Sequence, residues 1–203
     1  MRLILIVLAL INQQISDGEE DRLRSSEMLA EIAVDNCKNV RQHKRSSALL
    51  IAKQIALWEH KMDVPDEMLG IALSAACLES GFNPKAKGDR KFSKSGKPKA
   101  VGLYQMWPWW KSKRGYGVDR QDVESSTKAW LSHIKKQIPK IEKRCKTRTL
   151  LQTWVAAWVH AVRAPKAGGR CRETPKHYRY FKKIRKEFEI QQKYTAAALE
   201  KNR

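Results

Sequence analysis

The chain has 203 residues, enough for one ordinary domain with tails and too few for two large ones. Apolar residues make up 42% of it, which allows a buried core and excludes a wholly disordered chain. The 41 Lys and Arg against 21 Asp and Glu give a net charge of +20, so its natural partners are anionic: nucleic acid, acidic membranes or an acidic wall polymer.

Met1-Arg2 precedes the apolar run LILIVLALI, Leu3 to Ile11. Nine residues are short of the ~20 that span a bilayer as a helix. They match the core of a signal peptide, with cleavage expected near Ser16 and residues 1–18 removed. That loss deletes Arg2 and Asp17 and leaves the charge at +20. An exported chain with an even set of cysteines predicts disulfides. The four are Cys37, Cys77, Cys145 and Cys171, and no CxxC pair points to zinc. The expected bond joins Cys145 and Cys171 across flanking loop positions, with Cys37–Cys77 as the second proposal.

Residues from Glu19 to about His43 carry Met28, Leu29, Ile32, Ala33 and Val40 at helical spacing. Ser46 and Ser47 are candidate caps for a second helix bearing Leu49, Leu50, Ile51, Ile55, Leu57 and Trp58. A third helix is expected from Pro65, in its first turn, to a stop at Gly81. Residues 82–101 hold Pro84, Gly88, Gly96 and Pro98 with seven Lys or Arg, which predicts a surface loop. VGLYQMWPWW, Val101 to Trp110, reads as a short extended segment and turn. Helices are expected near Glu124–Lys143 and Thr149–Val162, then a loop from Pro165 to Pro175. A basic helix should follow from about Lys176. The sum is one mainly α domain with a short extended segment.

Glu79 is the residue of chemical interest. Stepping back along its helix by four, three and four reaches Ala75, Ala72 and Met68, so it extends an apolar stripe. A carboxylate there is expected to be partly desolvated, the setting in which a carboxylic acid keeps a proton to donate. Read on its own, the same position also suits a boundary glutamate bonded to its neighbours.

From Glu79 the chain reads ESGFNPKAKGD, and from Gly102 it reads GLYQ. The two stretches, in this order, resemble the lytic transglycosylases of the lysozyme superfamily, in the soluble-lytic and goose-type branch, over about Pro65 to Tyr180. The resemblance implies an α-rich lysozyme-like fold over residues 64–203, preceded by N-terminal helices at 19–63. It implies cleavage of the β-1,4 bond between N-acetylmuramic acid and N-acetylglucosamine in peptidoglycan, leaving a 1,6-anhydro-muramyl end. Glu79 would be the catalytic acid, Ser80 would lie beside it, and Tyr104, Gln105 and Trp107 would line the sugar groove. Gln105 offers both a donor and an acceptor. Tyr104, Trp107, Trp109 and Trp110 offer flat apolar faces with polar edges, and Gly102 lets backbone approach a ligand.

One stretch departs from the family. Where it has an A-Y-N-A-G-like segment, this chain has AAWVHAVRA, Ala156 to Ala164. Trp158 stands where the family has Tyr, and no Asn follows. His160 is the candidate substitute, and HYRYF offers Tyr178 and Tyr180 for the late tyrosine that faces the acid in the family, with Tyr178 preferred. Most glycosidases use two carboxylates. Asp89, Asp119 and Asp122 are available, and none has a setting like that of Glu79. In the family no second carboxylate is needed, because the substrate's acetamido group assists. No cofactor or metal is expected, and the expected partners of this monomer are peptidoglycan strands and the anionic wall, outside the cytoplasm. Two readings compete: a hydrolytic lysozyme acting on the same bond, and a non-catalytic basic module that binds an anionic polymer. No nucleic-acid motif is present.

Overall fold

The computed structural model describes residues 20–93, 95–112, 116–145, 149–160 and 174–201. The expected signal peptide at 1–18 lies outside these residues. Six helices dominate: α1 over residues 20–35, α2 Arg45–Lys61, α3 Ile71–Ser80, α4 Val123–Cys145, α5 Leu150–Val159 and α6 Pro175–Lys201. The only strands among the described residues are β1 Lys87–Gly88 and β2 Ala100–Val101, paired antiparallel with Lys87 opposite Val101.

The helix boundaries correct the sequence reading in three places. α1 stops at residue 35 rather than near His43, because the chain turns there to bring Cys37 against Cys77. α2 starts at Arg45, so Ser46 and Ser47 lie inside its first turn and neither caps it. α3 starts at Ile71, not at Pro65. Asp66–Met68 form a separate 3-10 turn, and Gly70 then adopts φ +95°, a left-handed conformation that no continuing helix can hold. The stop at Gly81 (φ +61°) is as expected from the sequence, and so is the cap on α5, where the Thr149 hydroxyl accepts from the Gln152 amide.

Every residue of α3 from Ile71 to Cys77 is buried. A helix apolar on all sides belongs at the centre of a fold. α2 and α6 pack directly on it, and α4 and α5 close the layer beyond. Leu29 of α1 and Ile184 of α6 both reach Gly70 at its start. α6 presents Phe181, Ile184 and Phe188 inward, three and four residues apart, and Arg179, Lys182, Lys183 and Lys186 outward. Leu29 and Ile55 from the 19–63 stretch share one core with Leu73, Trp154 and Phe181, so the N-terminal helices are built into the domain.

The end of α3 is fastened on one side. Cys37 and Cys77 form a disulfide, with Cα atoms 5.8 Å apart. The Asn39 amide donates to the Cys77 carbonyl at 3.0 Å, and the Tyr180 hydroxyl donates to Cys77 Sγ at 2.7 Å. The pair proposed second from the sequence is therefore present. Cys145 is also disulfide-bonded, while Cys171, its expected partner, lies outside the described residues. A bond of this kind belongs to an oxidising compartment.

Candidate functional site

Glu79 sits in the last turn of α3, two residues before the left-handed Gly81 ends the helix. Its stripe behaves as expected: Met68, Ala72 and Ala75 are buried. Glu79 itself is not. Its side chain is 36% exposed, because the last turn carries it past the edge of the core. The last turn therefore leaves Glu79 less buried than its stripe predicts.

Glu79 opens into a cleft of about 240 Å³. Tyr104, Trp130 and Trp158 form one wall, with Gln105, Trp107 and Asp89 on the loop side and His177 at the start of α6. The wall is continuous. Tyr104 stacks on Trp130 at 4.9 Å, Trp130 meets Trp158 edge-on at 6.3 Å, and Trp158 meets His177 edge-on at 4.5 Å. Such offset and edge contacts are the favoured aromatic geometries. The wall is also fixed polar-side: the Tyr104 hydroxyl is 3.1 Å from the Thr127 hydroxyl, and burial raises its pKa well above the usual tyrosine range, keeping it protonated. His177 Nε2 lies 4.0 Å from the Glu79 carboxylate, while its Nδ1 is buried without a partner.

The loop side is shaped by the small hairpin. Gly88 pairs with Ala100, and Gln105 follows a tight turn that leaves it at φ +45°. The Gln105 amide donates to the Gly102 carbonyl at 3.0 Å, and its Oε1 packs so closely on Gly88 that a Cβ there would collide with it. Arg120 ties the loop from behind, donating to the carbonyls of Lys99 at 3.0 Å and Met106 at 2.8 Å. Gly102 serves this framework and not a ligand: a Cβ on it would strike the Arg120 carbonyl. Asp89, in left-handed backbone at φ +56°, accepts from the Trp107 indole N–H at 2.9 Å. The Trp107 ring is flanked by Phe92 at 6.1 Å and by the Lys99 ammonium at 5.4 Å.

The structure thus brings together Glu79, Tyr104, Gln105 and Trp107 of the residues expected from the sequence. Ser80, His160 and Tyr178 are not among the side chains lining the cleft. Ser80 turns its hydroxyl back onto the Ala76 carbonyl at 2.9 Å. His160 ends α5 with Nε2 buried and unpartnered, and burial lowers its pKa. Tyr178 lies under the Lys182 ammonium at 5.2 Å. His177 occupies the rim in place of either. Trp109 and Trp110 stack on each other at 4.5 Å and pack around His133, so their faces belong to the interior. Among the other carboxylates, Asp119 accepts from the Gln121 amide and Asp122 from the Ser125 amide, as turn and helix-start residues do. Asp89 is the second carboxylate in the cleft.

Sequence reading missed Glu59. It is fully buried on α2 and spans the start of α3, accepting from the Gly70 amide at 2.7 Å and the Ala72 amide at 2.6 Å. Burial pushes its pKa up to about 8, against the opposing pull of those two amides. A signal existed in the sequence: Glu59 lies four residues after Ile55 on that helix's apolar side. Among the described residues, no three His, Cys, Asp or Glu side chains gather as metal ligands would. A larger hollow of about 660 Å³ lies along α6, where the Glu189 carboxylate is paired with Arg185 at 3.4 Å.

No family model, no curated protein and no solved structure matches this chain.

Proposed function

We propose that the chain cleaves the β-1,4 bond between N-acetylmuramic acid and N-acetylglucosamine in peptidoglycan, with Glu79 as general acid. The observation that carries this reading is that Glu79, whose carboxylate accepts no hydrogen bond among the described residues, opens into a cleft walled by Tyr104, Trp107, Trp130 and Trp158. The partly exposed Trp107 ring suits the apolar face of a sugar ring and Gln105 suits its acetamido and hydroxyl groups, while the buried Tyr104, Trp130 and Trp158 back the wall. The ESGFNP and GLYQ stretches point the same way. A glycan lying in the cleft would cover Glu79 and exclude water from it.

In the non-hydrolytic course, the Glu79 carboxylic acid gives its proton to the glycosidic oxygen as the bond to muramic C1 breaks. The resulting carboxylate takes the proton of the same sugar's 6-hydroxyl, whose oxygen closes on C1. Glu79 ends as it began and no water is consumed. An intramolecular hydroxyl has the proximity advantage, with effective molarities of about 10⁵–10⁸ M in well-oriented cases. Asp89 gives the hydrolytic reading its own support, because it shares the cleft with Glu79. Its Oδ2 is engaged by the Trp107 indole, which favours a role in holding that ring. The disulfide and the Leu3–Ile11 run support action outside the cytoplasm.

The test is a gel zymogram cast with purified cell walls, run beside a DNA-retention assay. Clearing by the purified chain supports the enzyme. Retention on DNA with no clearing would turn the assignment to a non-catalytic basic module.

A further inference from the structure

A second hollow, of about 430 Å³, lies just behind the cleft. Its floor is the ring of Tyr180 with Leu78 and Cys77, and its rim carries Lys38, Lys176, Arg179 and Lys183. The three cations of α6 fall three and four residues apart, so they share one face of that helix. None of the four rim cations joins an ion pair among the described residues. The floor is held still, since the Tyr180 hydroxyl donates to the disulfide sulfur of Cys77. The two hollows share their walls at consecutive residues. Leu78 and Lys176 face the groove, while Glu79 and His177 face the cleft.

We infer that this groove takes the carboxylates of the peptide stem that hangs from the muramic sugar held beside Glu79. The inference rests on the peptidoglycan reading and names the form of the substrate, strands whose stems carry free carboxylates. Four unpaired cations around an apolar floor suit a short, multiply acidic peptide, whose aliphatic parts lie on Tyr180 and Leu78 while its carboxylates meet the rim. A groove of this size does not track a long polymer. An extended residue spans at most about 3.3–3.6 Å, so a stem of four or five residues reaches roughly 15 Å from its sugar, enough to leave the cleft for the neighbouring groove. Nucleic acid would meet the same cations but would have no reason to seat a sugar chain next door.

The test uses the Glu79→Gln chain, which leaves strands uncut, and fluorescently labelled glycan strands in two forms. One form keeps its stem carboxylates; in the other they are converted to amides before mixing. Anisotropy titrations run at one ionic strength near 0.1 M. Amidation should weaken binding about tenfold. Adding Arg179→Ala with Lys183→Ala, both exposed positions, should remove that difference while leaving the affinity for amidated strands unchanged. Lys140→Ala with Lys143→Ala, equal in charge but on α4 outside both hollows, should keep it. The inference is overturned if amidation changes nothing, if the α6 pair weakens both strand forms alike, or if the α4 pair erases the difference as fully. Binding to both forms without preference sinks this inference alone. Binding to neither sinks the peptidoglycan reading, and this inference with it.

Discussion

Two glutamates bracket α3, and they are used in opposite ways. Glu59 at the start is fully buried and accepts two backbone amides within 2.7 Å. Glu79 at the end is 36% exposed, accepts no hydrogen bond among the described residues, and has one rim neighbour, His177 at 4.0 Å. The first satisfies donors that a helix start leaves orphaned, which the left-handed Gly70 cannot do with a side chain of its own. The second is left free on a tightly held element. A carboxylate with every oxygen engaged is structural, and one held in place but unengaged is available to react. The rest of the site repeats the contrast in part: Asp89, the other carboxylate of the cleft, has one oxygen engaged by the Trp107 indole, while Glu79 has none engaged.

The contrast breaks or sharpens under mutation. Glu79→Gln keeps shape and should unfold at the same denaturant midpoint as the parent, but should lose about 10²–10⁴-fold in wall-lytic rate, the typical share of general acid catalysis. Full activity in the folded variant would remove Glu79 from the chemistry. Replacing Cys37 and Cys77 together by Ser opens a bond spanning 40 residues and should cost about 4 kcal/mol by urea unfolding. It should also loosen the end of α3 that carries Glu79.

Glu59→Ala should cost about 3 kcal/mol, because it strands two buried amides, with lytic rate per folded molecule little changed. Glu59 also gives a pH signature. Its folded pKa, about 8, lies above its ordinary value, so the folded chain prefers the protonated form. The stability this contributes is complete below about pH 4.5 and is lost as pH rises toward 8. The histidines His60 and His160, lowered by burial, act in the opposite sense, so the readout is a difference. Glu59→Gln cannot ionise, and its stability relative to the parent should rise from pH 4.5 to 8. A pH-independent gap would mean Glu59 is not titrating in that window.

The smallest effect falls on Asp89. If its work is to hold the Trp107 ring, Asp89→Asn keeps an acceptor for the indole and should change kcat less than threefold. Asp89→Ala should raise KM several-fold at nearly constant kcat. A large loss of kcat in the Asn variant would mark Asp89 as a water-activating base and the chain as a hydrolase.

The legible part of the molecule is what local pattern dictates. Glu79 beside a helix-ending Gly81, the apolar stripe behind it, and the Gly102–Gln105 turn can all be read from neighbours along the chain. The unread part depends on residues far apart in sequence. Trp130 and His177 join the cleft wall from α4 and α6, and nothing local distinguishes Trp130 from any buried tryptophan. The stripe also misled: it places Glu79 on the apolar side of α3 but cannot tell that the core ends one turn earlier. Family position points to His160 and Tyr178, whereas the start of α6 turns His177 to the rim instead. Glu59 is not legible as a site residue because its partners are backbone amides eleven and thirteen residues on, which no side-chain pattern records.

The most direct test of the central proposal is mass spectrometry of the soluble fragments released from purified sacculi by the chain. Disaccharide-peptides one water lighter than the reducing species should accumulate, and their release should cease with Glu79→Gln. If the wild-type chain releases no glycan fragments at all, the account of Glu79 and its cleft is contradicted.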